Sequence, residues 1–276
     1  MKNNDELAIS DFVKELVQSP QIALKDCSQE NEIPRKIIQF WDDLDNLPDD
    51  VKACMDSWQG VESTGIERLL YDKFSARNFI ETELGNAYAL AFDKCYHPAM
   101  QSDFFRLCYI FVKGGCYIDA DDDSLCLPID DFFTNGCLKI QPLCYDVQSH
   151  SMVPPAVFTT KDDTGGGDNR IFYFNNNPLI AHKEHPIIKI ALLSALKNLE
   201  QDFSGNLPEI QSTAGPGNLT KAVFEFSKEA SSITQFITVL DNWGNVAESK
   251  WPLSYRDDVR NWRISNSIPF EWKPKT

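Results

Sequence analysis

The stretch "SDFFRLCYIFVKGGCYIDADDD", residues 102–123, decides the architecture. Its first half packs Phe104, Phe105, Leu107, Cys108, Tyr109, Ile110, Phe111 and Val112 into nine positions, broken only by Arg106. A helix that is apolar on nearly every side has to be buried. Ser102 suits the N-cap, Asp103 the positive end of the helix dipole, and Gly114 the left-handed position past the C-terminus. "CYID" then reads as a short strand, and Asp119, Asp121, Asp122 and Asp123 cluster at its exit.

The charges in this stretch need an account. Asp103 and Arg106 are three apart and share a helix face. An ion pair within the helix is the simplest reading, yet charges on a buried helix need further partners. Residues two apart on a strand point to one side, about 6.6 Å from each other. The spacing therefore predicts that Asp119 and Asp121 share a face. Two carboxylates in an all-oxygen site suit Mg²⁺ or Mn²⁺, with water or a diphosphate filling the other positions. If helix and strand pack antiparallel across Gly114 and Gly115, all four charged groups surround one cavity.

Three other readings compete. The cluster can be a solvated acidic turn. It can be a calcium loop, since Asp119, Asp121, Asp123 and Asp130 have that spacing, although Ser124 stands where the loop needs Gly and Pro128 interrupts it. It can be a glycosidase pair, but adjacent positions on one strand do not flank a scissile bond.

The whole chain narrows the classes. It has 276 residues, 42% of them hydrophobic, enough for a proper core. With 41 acidic against 26 basic residues the net charge is −15, which argues against nucleic acid or an anionic membrane as partner. The N-terminal residues carry charges throughout and lack the apolar core of a signal peptide. No run approaches the roughly 20 apolar residues of a spanning helix. The eight cysteines form no CxxC pair, and Cys108 and Cys116 read as reduced, buried thiols, which predicts a cytoplasmic setting.

Outward from 102–123, residues 1–30 read as one or two short helices forming an appendage, with the main domain over 31–276. "IPRKIIQFW", 33–41, reads as a buried strand and "GIERLLYD", 65–72, as a second. "LPDDVKACMDSWQGV", 47–61, reads as a helix with Asp49 and Asp50 in its first turn. "FSARNFIETEL" and "AYALAFDKC" look helical. In the second half "LKIQPLCYDV", "AVFTT" and "SITQFITVLDNW" look strand-like, "TGGGDN" is a turn, and "IIKIALLSALKNL" and the segment after "STAGPG" are helices. The tail from 243, rich in Trp and Pro, is expected to wrap the surface. Strands alternating with helices give an α/β class.

The string Ser-Asp, two residues, Arg, apolar helix, Gly-Gly, aromatic, Asp-x-Asp resembles the signature of the DXD-containing sugar-binding glycosyltransferases. That group includes fungal initiating mannosyltransferases, bacterial capsular polysaccharide glycosyltransferases and, more distantly, clostridial glucosylating toxins. "IPRKIIQFW", Ser57-Trp58, "NPLIAHKEHPII" and "TAGPGNLTKAV" resemble other segments of the family, so the likeness runs over about 33–222. Gln39 and Phe40 match only approximately, and Ala214 is an insertion.

The resemblance implies a GT-A fold, a Rossmann-like nucleotide-binding α/β domain. It implies metal-dependent, retaining transfer of a hexose from a UDP- or GDP-linked nucleotide sugar to an acceptor hydroxyl, with a bacterial surface-polysaccharide role and a location peripheral to a membrane-bound complex. A non-catalytic nucleotide-sugar binder and a toxin-like enzyme acting on protein are the alternatives. By position, Trp41 would flank the nucleobase and Asp103 would meet ribose or sugar hydroxyls. Arg106 would meet sugar or phosphate, and Tyr117 would pack beside the metal. Asp119 would touch ribose or metal-bound water, Asp121 would bind Mn²⁺ or Mg²⁺ directly, and Asn177 would be a polar contact from the second half. Asp119, Asp121 and Arg106 would carry catalysis. Gly215 and Gly217 would let backbone approach phosphate or simply turn the chain. His185 reads as a structural residue.

Overall fold

The computed structural model describes residues 4–19, 31–125, 129–159, 169–201, 207–266 and 268. The expected turn at 164–169 lies almost wholly outside them, as do parts of the N-terminal appendage and the end of the tail.

A mixed sheet carries the fold. β1 (Lys36–Phe40) lies between β2 (Glu67–Tyr71) and β3 (Gly115–Tyr117), parallel to both. β3 then pairs antiparallel with β7 (Arg170–Ala181), and β7 with β5 (Leu138–Asp146). β5 also pairs antiparallel with β6 (Ser151–Val153) and parallel with β8 (Ile237–Val239). A small second sheet joins β4 (Asp122–Ser124) to β9 (Ala247–Ser249). The class is α/β, with strands of both senses.

The buried run Ile37-Ile38-Gln39-Phe40 suits a strand with a partner on each side and packing on both faces. The pleat sorts its neighbours. Ile37, Cys116 and Ile180 lie in register and join a core with Trp58, Ile66 and Trp243. Ile38, Tyr117 and Leu179 face the other way, into the main core built on α5 (Pro98–Lys113). That helix is buried from Met100 through Ile110, as its composition requires.

Its start differs from the sequence expectation. His97, not Ser102, is the N-cap: its Nδ1 accepts from Ala99 N at 3.0 Å, and Pro98 takes the first helical position. Asp103 therefore lies in the second turn. Other corrections follow. The expected strand at 156–160 is a helical turn, α6 (Pro155–Phe158), opened by Pro154 and Pro155. Helix α2 (Asp49–Ser57) passes into a 3-10 turn at Trp58–Thr64. The 232–243 strand shrinks to β8. β7, which holds three consecutive asparagines, is a twelve-residue strand that the sequence did not suggest. Helix α1 (Asn4–Gln18) buries Val13 and Val17 in the main core, and Ser10 Oγ accepts from Phe172 N at 3.0 Å. Cys108 and Cys116 are buried free thiols as expected, whereas Cys137 is disulfide-bonded. Among the described residues no helix is long and apolar enough to cross a membrane.

Gly114 joins α5 to β3 at φ +69°, ψ −178°, a region essentially reserved for glycine. An added Cβ would sit 2.7 Å from Lys183 N and 3.0 Å from Ala181 O. Gly114→Ala is expected to cost about 3 kcal/mol from backbone strain and overlap together. A chemical-denaturation midpoint equal to wild type would contradict this.

Helix α7 (Pro186–Glu200) repeats the His-Pro start. His185 Nδ1 accepts from Ile187 N at 3.3 Å, so its Nε2–H donates to Phe236 O at 3.1 Å. Protonating Nδ1 would point a proton at an N–H. Burial, with His182 adding, pushes the His185 pKa down to about 3. The unfolded chain takes up that proton near pH 6.5, so the stability is fully present above pH 6.5 and drains away as pH falls toward 3. The loss is on the order of 4 kcal/mol at pH 3. His185→Asn keeps a capping side chain without the titration. Its melting temperature is expected to fall less steeply over this window, and an unchanged slope would contradict the assignment.

Candidate functional site

One cavity of about 770 Å³ opens where β1 and β3 end. Trp41, Asp103, Arg106, Asp119, Asp121 and Asn177 all line it. Helix α5 delivers Asp103 and Arg106, the chain after β3 delivers the aspartates, and β7 delivers the asparagines.

Arg106 is the hub, and only 3% exposed. Its Nη2 lies 2.8 Å from Asp119 Oδ1 and 3.1 Å from Asp103 Oδ1. The same nitrogen donates to Ser102 Oγ at 2.7 Å, and Nη1 donates to Asn176 O at 2.9 Å. Its guanidinium lies 4.3 Å over the Tyr117 ring, whose hydroxyl is 2.6 Å from Ser102 Oγ. Burial opposes the charge, but Asp119, Tyr117 and Asp103 raise the guanidinium's pKa above its ordinary value. Arg106 thus spends most of its donors on protein, as a strut for two carboxylates. Tyr117 is fully buried beneath it and supports the strut rather than facing the cavity.

Two adjacent asparagines of β7 complete the frame. Asn176 Nδ2 donates to Asp103 Oδ1 at 2.8 Å. Asn177 Oδ1 accepts from Asp119 N at 3.0 Å, and its Nδ2 donates to Asp122 Oδ2 at 2.8 Å. Burial raises the pKa of Asp103, with Arg106 and Asn176 opposing. Burial likewise raises that of Asp119, which Arg106 counters and Asp121 and Asp103 reinforce. The Asp119 side chain remains 32% exposed to the cavity. Burial and the adjacent Asp121 and Asp119 also hold Asp122 well above the carboxylate range.

The expectation that Asp119 and Asp121 share a strand face is corrected. β3 ends at Tyr117, and residues 119–122 form a turn closed by Asp122 N to Asp119 O at 3.2 Å. The turn still presents both carboxylates to the cavity. Gly215 backs onto Asp103, and an added Cβ there would lie 2.7 Å from its Oδ2. That closeness leaves little room for a side chain at this glycine. Gly217 sits in the first turn of α9 (Pro216–Ser227), against Gln211.

The tail does more than wrap the surface. β9 pairs with β4, and residues 250–263 cross the acidic wall as a strap. Tyr255 Oη donates to Asp121 Oδ2 at 2.7 Å, and Arg256 Nη2 pairs with the same oxygen. Tyr255 meets Trp41 edge-on, with ring centroids 5.3 Å apart. His97 Nε2 lies 3.1 Å from Val259 O and ties the strap to the start of α5. More than 130 residues separate Asp121 from Tyr255, and no local signal announces the contact.

Among the described residues no three His, Cys, Asp or Glu side chains form a ready metal cage. The protein bonds at Asp119 and Asp121 go to Oδ1 and Oδ2 respectively. Among the described residues one oxygen of each carboxylate has no protein bond, a hard-oxygen pair that fits a divalent cation bringing its other ligands with it.

No curated protein matches the chain. A solved structure titled "PaToxG Glycosyltransferase" is similar at 15% identity, over 83% of this chain and 81% of that one, with a TM-score of 0.42. The description "Glycosyltransferase sugar-binding region containing DXD motif" names a family that covers residues 23–131 and so takes in Trp41, Asp103, Arg106, Asp119 and Asp121. The resemblance carried by the 102–123 stretch is to this same family, whose model matches less than half of the chain.

Proposed function

We propose that the protein is a glycosyltransferase that moves a hexose from a UDP- or GDP-linked sugar to an acceptor hydroxyl, with the anomeric configuration retained. The observation that carries this reading is the convergence of Asp103, Arg106 and Asp119 through contacts of 2.8 to 3.1 Å on one cavity.

In this reading Asp103, steadied by Arg106 and Asn176, accepts hydrogen bonds from sugar or ribose hydroxyls. Asp119 offers its outer oxygen to the ribose or to the cation's water, and Asp121 offers its own to the cation. A bound Mn²⁺ or Mg²⁺ supplies charge neutralisation of the departing diphosphate. Trp41 presents a flat apolar face to the base. Asn177 holds the Asp119–Asp122 turn in place and so fixes the carboxylate spacing. Fixed dipoles of this kind need no reorganisation as charge develops.

The test is a panel of UDP- and GDP-sugars with Mn²⁺, read by nucleotide release and by melting temperature. One donor is expected to release nucleotide and to raise the melting temperature by mass action. A donor that binds without turnover would point to a sugar-nucleotide binder, and a panel with no binding at all would end the reading.

A further inference from the structure

The strap brings a second arginine to the acidic wall, and it differs from Arg106 in how its donors are used. Arg256 pairs through Nη2 with Asp121 Oδ2 and lies 3.2 Å from Ser249 Oγ. Its guanidinium stacks 4.3 Å over the Trp251 ring and 5.4 Å from the Tyr255 ring. The side chain is only 9% exposed, yet among the described residues its buried Nε has no hydrogen-bond partner. A buried, unsatisfied N–H is costly, and a guanidinium fork normally fills its donors with a carboxylate or phosphate. The neighbouring cations are placed differently: Arg260 grips Asp258 through two donors, and Arg263 lies over Trp262 at 4.6 Å.

We propose that Arg256 is a donor-binding residue held in reserve. With the cavity empty it neutralises Asp121; when a divalent cation takes that carboxylate, Arg256 is released and turns its unused donors to the diphosphate. The inference rests on the reading of the cavity as a nucleotide-sugar site. Its logic is charge. Two cations on one carboxylate repel at close range, so the ion and the guanidinium compete for Asp121. The diphosphate that arrives with the ion is the anion best matched to a planar fork, and both Nη2 hydrogens of Arg106 are already committed to Ser102 Oγ and Asp119 Oδ1. The stack on Trp251 lets the guanidinium slide while keeping its aromatic contact.

The experiment has two arms. Free Mn²⁺ is measured by electron paramagnetic resonance without nucleotide, and UDP and GDP binding is measured calorimetrically at saturating Mn²⁺. Arg256→Gln is expected to bind Mn²⁺ about fivefold tighter than wild type, because a competitor is gone, and to bind the nucleotide diphosphate about tenfold more weakly. Arg256→Lys keeps the charge without the fork, so Mn²⁺ binding stays as in wild type while nucleotide binding weakens about threefold; this variant decides the matter if the Gln variant does not fold. Unchanged or weaker Mn²⁺ binding by Arg256→Gln overturns the proposal, as does unchanged nucleotide affinity. Wild-type protein that binds neither UDP nor GDP overturns the nucleotide-sugar reading itself, a result distinct from either of these.

Discussion

Asp121→Asn is expected to give a folded protein whose sugar transfer has fallen on the order of 10³-fold, the scale of a lost metal-borne stabilisation of several kcal/mol. The fold survives because the new amide oxygen can still accept from Tyr255 Oη, and Arg256 keeps Ser249 Oγ. What disappears is the negative charge on which a divalent cation depends. The loss is therefore expected in turnover at every Mn²⁺ concentration, in a protein that still folds but melts below wild type, because the buried Arg256 loses its anionic partner. Nucleotide release and thermal unfolding on the same preparation check both halves. A soluble Asn variant with full turnover would remove Asp121 from the chemistry.

Arg106→Ala is expected to fail at a different level, with a loss of about 3 to 5 kcal/mol in folding stability, the cost of breaking a buried ion pair on one side. Removing this guanidinium strands Asp103, whose side chain is 10% exposed, and leaves Asn176 O and Ser102 Oγ short of a donor. It also empties the space above Tyr117. Arg106→Lys restores the charge but reaches fewer partners, so it should recover only part of the stability. Urea unfolding measures the difference, and a loss below about 1 kcal/mol for the Ala variant would show that water takes over the strut's role.

These residues differ in how far the sequence reveals them. Asp103 and Arg106 were legible because helical spacing puts them on one face and a buried helix leaves charged groups few exits. Asp119 was legible through the same stretch. The shared presentation of Asp121 was expected for the wrong reason, strand alternation, when a four-residue turn does the work. The helix start was misplaced because Ser102 is a good cap in isolation. The stronger signal was His97-Pro98, since proline favours the first helical position.

β7 runs against the poor strand propensity of its three asparagines; its ladder pairs form on either side of them, at Arg170–Phe174 and at Leu179–Ala181. Asn176 serves Asp103 while Asn177 serves Asp119, from the irregular stretch of β7 between its two paired segments. Tyr255 and Arg256 leave no trace in any local window. Their contact with Asp121 is a property of the tertiary fold alone.

Gly215 has a practical meaning for anyone wishing to alter the molecule. Its φ of −86° suits any amino acid, so the polypeptide itself does not demand glycine there. The nearest obstacles to a Cβ there are Asp103 Oδ2 at 2.7 Å and the Gln211 backbone, Cα at 3.0 Å and O at 3.1 Å. A methyl group at 215 would act as a wedge, tilting one carboxylate and nudging the Gln211 backbone by a few tenths of an ångström. That makes position 215 a natural dial for retuning which hydroxyl pattern is preferred, at a spot where no ligand need ever touch the altered side chain.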